Sequence, residues 1–263
     1  MAALDGSESS LRALDVAIDL AAKAEAGLDV VSVEEESPKY VATREELAAE
    51  RSSADSYYSR LHEDSVRRAQ RQGIACRTRI LRGHEVQELV DYVCTDGYDL
   101  LIIGHRGHSG AWGAFLGSTA DKLVGHAPCS MLVVRQQMIG KAFKRILLGL
   151  DGSPLGKRAL EHALELARLW GASIHAVSVV ESSASGDETR GGGWALFFEK
   201  TQAVAAAEAS VAGVSFQATS RPGHAASVII NQARREDCDL IEPLSTPGFE
   251  REEWWCWRGF TPK

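Results

Sequence analysis

The chain carries the same pattern twice, and this duplication limits its fold more than any other feature. "LDGSESSLRALDVAIDLAAKAEAGLDVVSVEE" from Leu4 aligns without gaps on "LDGSPLGKRALEHALELARLWGASIHAVSVVE" from Leu150, a constant shift of 146 residues. Asp5-Gly6-Ser7 falls on Asp151-Gly152-Ser153, and Ser32-Val33 on Ser178-Val179. Further on, with a shift of 140, "LRGHEVQELVDYVCTDGYDLL" (Leu81 to Leu101) matches "RPGHAASVIINQARREDCDLI" (Arg221 to Ile241). The same order at nearly the same spacing predicts two copies of one domain, at 1–138 and 142–263, with the boundary near Gln136 to Lys144. A length of 263 residues suits two domains of ordinary size.

Each copy reads as alternating strands and helices. Leu14, Ala17, Ile18 and Ala21 have the i, i+3, i+4, i+7 spacing of a helix face, and Leu160, Ala163, Leu164 and Ala167 repeat it. Ser153 followed by Pro154 predicts an N-cap with proline at the first helical position. In the first copy, Val30, Val31 and Val33 mark a second strand, Thr43 to Gln72 a long polar helix, and Cys76 to Leu81 a third strand. Glu85 to Val93 reads as a helix, Leu100 to Ile103 as a strand, Ser118 to His126 as a helix and Met131 to Val134 as a fifth strand. "MAAL" leaves the first strand shorter than "KRILLGL" before Asp151.

Continuous apolar runs suit strands buried on both faces, and strands alternating with helices suit a parallel sheet. With right-handed crossovers this predicts a small doubly wound α/β domain, five-stranded in the first copy. Ligands in such sheets sit beyond the carboxyl ends of the strands, where the strand order reverses. The loops after strands one and four are therefore the candidate site.

The loop after strand four is "IGHRGHSGAWGAFLGST", with Gly104, Gly107, Gly110, Gly113 and Gly117 among its residues. Glycines let the backbone bring its N–H groups close to a ligand, and a helix N-terminus supplies unpaired donors and a positive dipole end. Together they suit phosphate. Ser118 and Thr119 add hydroxyls that either donate to phosphate oxygens or cap the helix. No Gly-Lys-Ser/Thr follows, and GxGxxG is absent, so this is neither of those phosphate loops.

Composition narrows the partners. Hydrophobic residues at 44%, charged residues at 25% and a formal charge of -7 indicate a folded, acidic protein and argue against nucleic acid. Arg67, Arg68 and Arg71 are diluted by Glu63 and Asp64 and read as a solvated helix face. No apolar run approaches a membrane span, and Asp5 and Glu8 stand where a signal peptide would be basic and then apolar, so a cytoplasmic location is expected. Five cysteines without a CxxC pair suggest reduced, mostly buried thiols.

The repeated Asp-Gly-Ser opening, the strand ending Ser-Val, the Gly-His turn and "GHRGHSGAWGAFLGSTADKLVGHAPCSMLVV" resemble the universal stress protein family in its tandem form. The resemblance covers nearly all of copy one, and copy two as far as about Ile241. It implies two Rossmann-like domains and an adenine nucleotide, ATP with or without magnesium, between strands one and four. By that resemblance Asp5 and the Val33 backbone face adenine, Gly104 and Gly107 lie along ribose and phosphates, and Gly117, Ser118 and Thr119 hold the phosphates. It also implies a homodimer through the fifth strand and a role in stress signalling by nucleotide occupancy, with at most slow hydrolysis.

Three alternatives stand beside this. Asp5 could simply start a helix through its Asp-Gly-Ser turn. "HRGH" at His105 to His108 fits a nucleotidyltransferase motif, although there it follows the first strand. A nucleotide-free interaction protein of the same fold is the third. After Ile241 copy two reads "EPLSTPGFEREEWWCWRGFTPK", without Gly-x2-Gly-x9-Gly-Ser, so it is expected to be incomplete and not to bind ATP in the family's manner. Trp254, Trp255 and Trp257 fit an interaction patch, a cover for the sheet edge, or an altered reading frame.

Overall fold

Ser7 and Ser153 start equivalent helices by equivalent means. Each adopts extended backbone, and its side chain accepts a backbone N–H, from Ser10 in the first case and Gly156 in the second. Pro154 occupies the start of the second of these helices as its sequence predicts. The computed structural model describes residues 1–35, 44–107, 117–134, 143–180, 188–242 and 255–256. His108, Pro243, Trp254 and Trp257 lie outside them. Two compact units divide the chain, Met1–Ile139 and Gly140–Lys263.

The first unit runs β1 (Ala2–Ala3), α1 (Glu8–Lys23), β2 (Leu28–Glu34), α2 (Arg44–Arg71), β3 (Cys76–Arg82), α3 (Glu85–Asp96), β4 (Leu100–Gly104), α4 (Ser118–His126) and β5 (Ser130–Val134). Its strands are parallel in the order β3-β2-β1-β4-β5. The order reverses between β1 and β4. Leu14, Ala17, Ile18 and Ala21 of α1 are all buried, as are all five residues of β5 and Leu101, Ile102 and Ile103 of β4. Two-sided burial is what the continuous apolar runs required.

The second unit runs β6 (Arg145–Gly149), α5 (Pro154–Trp170), β7 (Ser173–Val180), α6 (Glu188–Val211), β8 (Phe216–Pro222), α7 (Ala225–Arg235) and β9 (Leu240–Glu242). Its four strands are parallel in the order β8-β7-β6-β9, the order of their counterparts in the first unit. A two-residue strand β10 (Trp255–Cys256) pairs antiparallel with β9. Glu242 stands where the first unit has Ile102. It ends β9 opposite Leu148, almost fully buried, with His162 Nδ1 at 3.9 Å.

The basic residues of α2 are matched as their sequence neighbours predict. Arg67 faces Asp64 at 3.6 Å, and Arg68 bonds Asp64 at 2.7 Å and Asp15 at 3.2 Å. No described helix is long and apolar enough to cross a membrane. Cys129 and Cys238 are buried free thiols, whereas Cys94 is exposed and Cys76 half-buried, a more even division than the composition led us to expect.

Candidate functional site

Asp5 follows β1 directly, and its two carboxylate oxygens do different things. Oδ1 accepts the Ser7 N–H at 2.9 Å and closes the turn into α1, with Gly6 at φ +85°. Oδ2 reaches toward the loop after β4: a Cβ on Gly107 would lie 2.8 Å from it. The helix-starting role of Asp5 is therefore real, and the same side chain meets the glycine loop at the point where strand order reverses.

Gly104 is glycine first for packing. A Cβ there would come within 2.6 Å of the Ser9 carbonyl carbon and 2.7 Å of the Ser10 nitrogen, so the end of β4 rests on the first turn of α1. The next residues are pinned to that turn. His105 Nδ1 lies 2.8 Å from Ser9 Oγ, the Arg106 N–H donates to the same oxygen at 3.4 Å, and Ser7 Oγ donates to the Arg106 carbonyl at 3.3 Å. His105 thus anchors the loop to α1, while His108, the other half of the "HRGH" motif, lies outside the described residues.

Gly117 returns to the same place. Its N–H donates to the His105 carbonyl at 2.8 Å, and a Cβ on it would sit 3.2 Å from Arg106 Cα. It is also the N-cap of α4, without a side-chain cap. The capping role considered for Ser118 is therefore not what the structure uses: Ser118 is the first helical residue, exposed, and α4 has no side-chain cap. Thr119 is engaged, donating from Oγ1 to the Glu85 carboxylate at 2.6 Å.

Val33 lies near the carboxyl end of β2, and its carbonyl accepts the Tyr58 hydroxyl at 3.3 Å. Tyr57 donates to the Asp5 carbonyl at 3.3 Å, and the two rings pack edge to face with centroids 5.3 Å apart. A Cβ on Gly6 would sit 1.9 Å from the Tyr57 hydroxyl. So α2 lays two tyrosines over the ends of β1 and β2, on the carbonyls of Asp5 and Val33.

Those tyrosines have no counterpart in the sequence-derived site, which treated α2 as a polar helix. The available signal was the repeat: with the shift of 140, Tyr57-Tyr58 falls on Phe197-Phe198, and Phe197 likewise crowds Gly152. Burial pushes the Tyr58 hydroxyl pKa up, reinforced by Tyr57, Asp5, Glu85 and Glu34. The groups that act on Tyr58 are thus acidic and aromatic. Arg82, a cation near them, is held by Glu34 at 2.9 Å and Asp55 at 2.6 Å.

Beneath the site lies a buried network. Ser32 donates to the Leu4 carbonyl at 2.5 Å, and His62 Nε2 lies 2.8 Å from the same hydroxyl oxygen. Because the Ser32 proton goes to Leu4, His62 supplies the hydrogen through Nε2. The second unit repeats the arrangement with Ser178 on Leu150 at 2.7 Å and Gln202 on Ser178 at 3.0 Å. Among the described residues no group of three or more His, Cys, Asp or Glu side chains could hold a metal ion.

The model of the universal stress protein family matches residues 1–135 and again 142–241. Among curated proteins the chain is similar to universal stress protein YxiE of Bacillus subtilis (strain 168), 28% identical over 51% of this chain and 97% of that protein. It is also 28% identical to universal stress protein MJ0531 of Methanocaldococcus jannaschii, over 50% of this chain and 78% of that one. Each covers about half of this chain, as expected for a duplicated domain. A universal stress protein from Archaeoglobus fulgidus DSM 4304 shares the fold across both units. Its TM-score is 0.68 at 20% identity, covering 91% of this chain and 84% of that one. With its model matched once in each repeat, the chain belongs to the universal stress protein family.

Proposed function

We propose that the first unit binds an adenine nucleotide, ATP, beyond the carboxyl ends of β1 and β4, and that the protein signals stress by nucleotide occupancy. The observation that carries this is the convergence of three backbone segments at the reversal of strand order. Asp5 after β1, Gly107 after β4 and Gly117 at the start of α4 approach so closely that a Cβ on either glycine would crowd its neighbours. Such a side-chain-free cradle against a helix N-terminus fits a phosphate chain.

In this reading Asp5 and the Val33 backbone meet the adenine, Gly104 and Gly107 border the ribose and phosphates, and Gly117, Ser118 and Thr119 receive the phosphates. Ser118 supports the assignment because its exposed hydroxyl is not used as a cap. Magnesium would arrive with the phosphates. Hydrolysis is at most slow, since occupancy rather than turnover is the signal.

The second unit keeps Asp151 and Ser153 but lacks the Gly-x2-Gly-x9-Gly-Ser spacing, and serves as a regulatory or structural partner. A cytoplasmic location and a homodimer through β5 complete the proposal. A concentration-independent monomer in sedimentation would remove the dimer.

Calorimetry of the full chain with ATP and magnesium tests the central claim. One site per chain is expected, lost in Gly117→Val combined with Ser118→Ala and weakened in Asp5→Asn. No heat from a protein that unfolds cooperatively would leave the same fold acting without nucleotide, through partner binding.

A further inference from the structure

The contact between Thr119 and Glu85 bears on which nucleotide the cradle accepts. Thr119 is the second residue of α4, and Glu85 is the first residue of α3. Their 2.6 Å hydrogen bond sets a carboxylate beside the N-terminal turn of α4. That turn carries unpaired N–H groups and the positive end of the helix dipole, which favour an anion, and Glu85 holds one of the hydroxyls a phosphate would need.

The fold does not require this carboxylate. In the second unit Ala225 takes the place of Glu85, while the local frame is unchanged. His224 precedes α7 as His84 precedes α3, neither capping through its side chain, and Gly223 at φ +137° matches Gly83 at φ +146°. Glu85 is also one of the charges felt at Tyr58, with Asp5 and Glu34, so a polyphosphate entering here meets several like charges.

We propose that Glu85 is a specificity-determining residue of this site. It discriminates among adenine nucleotides by phosphate charge, disfavouring the triphosphate relative to the uncharged nucleoside. This rests on the reading of the first unit as an adenine-nucleotide site. A unit charge removed a few Å from a phosphate, at an effective dielectric of about 20, changes affinity by about tenfold or more.

The test is calorimetry of the full chain with adenosine and with ATP, without added magnesium, for the wild type, Glu85→Gln and Glu85→Ala. The expected result is an ATP-to-adenosine affinity ratio about tenfold higher in both variants, since both remove the charge. A ratio that stays constant or falls, while adenosine still binds, overturns the role of Glu85 and leaves the nucleotide site standing. Failure of both ligands to bind the wild type and both variants, with cooperative unfolding intact, overturns the nucleotide reading itself and this inference with it.

Discussion

Replacing His62 with the residue its own repeat uses tests the buried network under the site. His62 is 6% exposed, and its Nε2–H is committed to Ser32. A protonated ring would carry its charge into that interior, so burial pushes its pKa below the ordinary 6.5. The sign follows from proton counting. The folded state holds fewer protons on His62 than the unfolded state, so stability is unaffected well above pH 6.5 and falls as the pH drops below it. The slope is at most about 1.4 kcal/mol per pH unit, which makes the loss as much as ~2 kcal/mol by about pH 5. Gln202 does the same hydrogen bonding in the second unit at 3.0 Å and cannot titrate. His62→Gln should therefore lie within about 1 kcal/mol of the wild type near pH 8 and exceed it near pH 5. Urea denaturation of the full chain at both pH values, with hydrogen exchange on peptides containing Leu4 and Ser32, reads the difference. Other histidines contribute equally to both proteins, so a parallel loss of stability in the two would refute the reasoning.

Gly104→Ala should destabilise the first unit by about 1–3 kcal/mol, seen as a lower urea midpoint, because the added methyl meets α1 backbone and not a movable side-chain end. Gly6→Ala combines a clash with the Tyr57 hydroxyl and a φ of +85°. Pairing it with Tyr57→Ala should relieve the clash but leave the left-handed strain of about 1–2 kcal/mol, which a double-mutant cycle of unfolding energies separates. In the native protein a thiol reagent at mildly alkaline pH should label Cys94 and spare Cys129 and Cys238, whose pKa values burial pushes up to about 11 and about 12. Peptide mass spectrometry reads this, with labelling of the buried pair appearing only on unfolding. Asp5→Ala and Asp151→Ala should each cost about 1 kcal/mol of stability through the same lost turn bond, yet only Asp5→Ala should weaken ATP binding in calorimetry.

The elements were legible because their signals are local. The four apolar positions of α1 all face the interior, α4 spans Ser118–His126 as its pattern indicates, and α2 falls within a residue of each expected end. The parallel sheet followed from the alternation of strands and helices, and the loops after strands one and four were singled out; the order β3-β2-β1-β4-β5, which reverses between β1 and β4, came from the structure. The contacts that build the candidate site were not legible. Tyr58 and Val33 are 25 residues apart, Tyr57 and Asp5 52 apart, and Thr119 and Glu85 34 apart. Periodicity tells which face of a helix turns inward, not which strand end it crosses. Gly104 is a different case. The glycine was noticed through the ligand-side place the family resemblance implies, whereas the close approach of α1, which by itself calls for a glycine there, was not legible.

Comparison of the two units separates what the fold needs from what a ligand needs. The Asp-Gly-Ser turn closes in the same way in both, Asp5 Oδ1 accepting Ser7 N–H at 2.9 Å and Asp151 Oδ1 accepting Ser153 N–H at 2.8 Å. Both buried serines hold the carbonyl before that aspartate. These shared residues build the end of the first strand, so their recurrence is explained without a ligand and says nothing about one. Other positions differ between the units. Tyr57 and Tyr58 become Phe197 and Phe198, Glu85 becomes Ala225, and the glycine spacing is present once. Exchanging tyrosine for phenylalanine removes the hydroxyls that meet the Asp5 and Val33 carbonyls while keeping ring volume. The second unit thus has the rings without those two hydroxyls. On the nucleotide reading proposed above, specificity is to be sought in the positions where the two units differ, and Glu85, the charged one among those named, touches the start of α4.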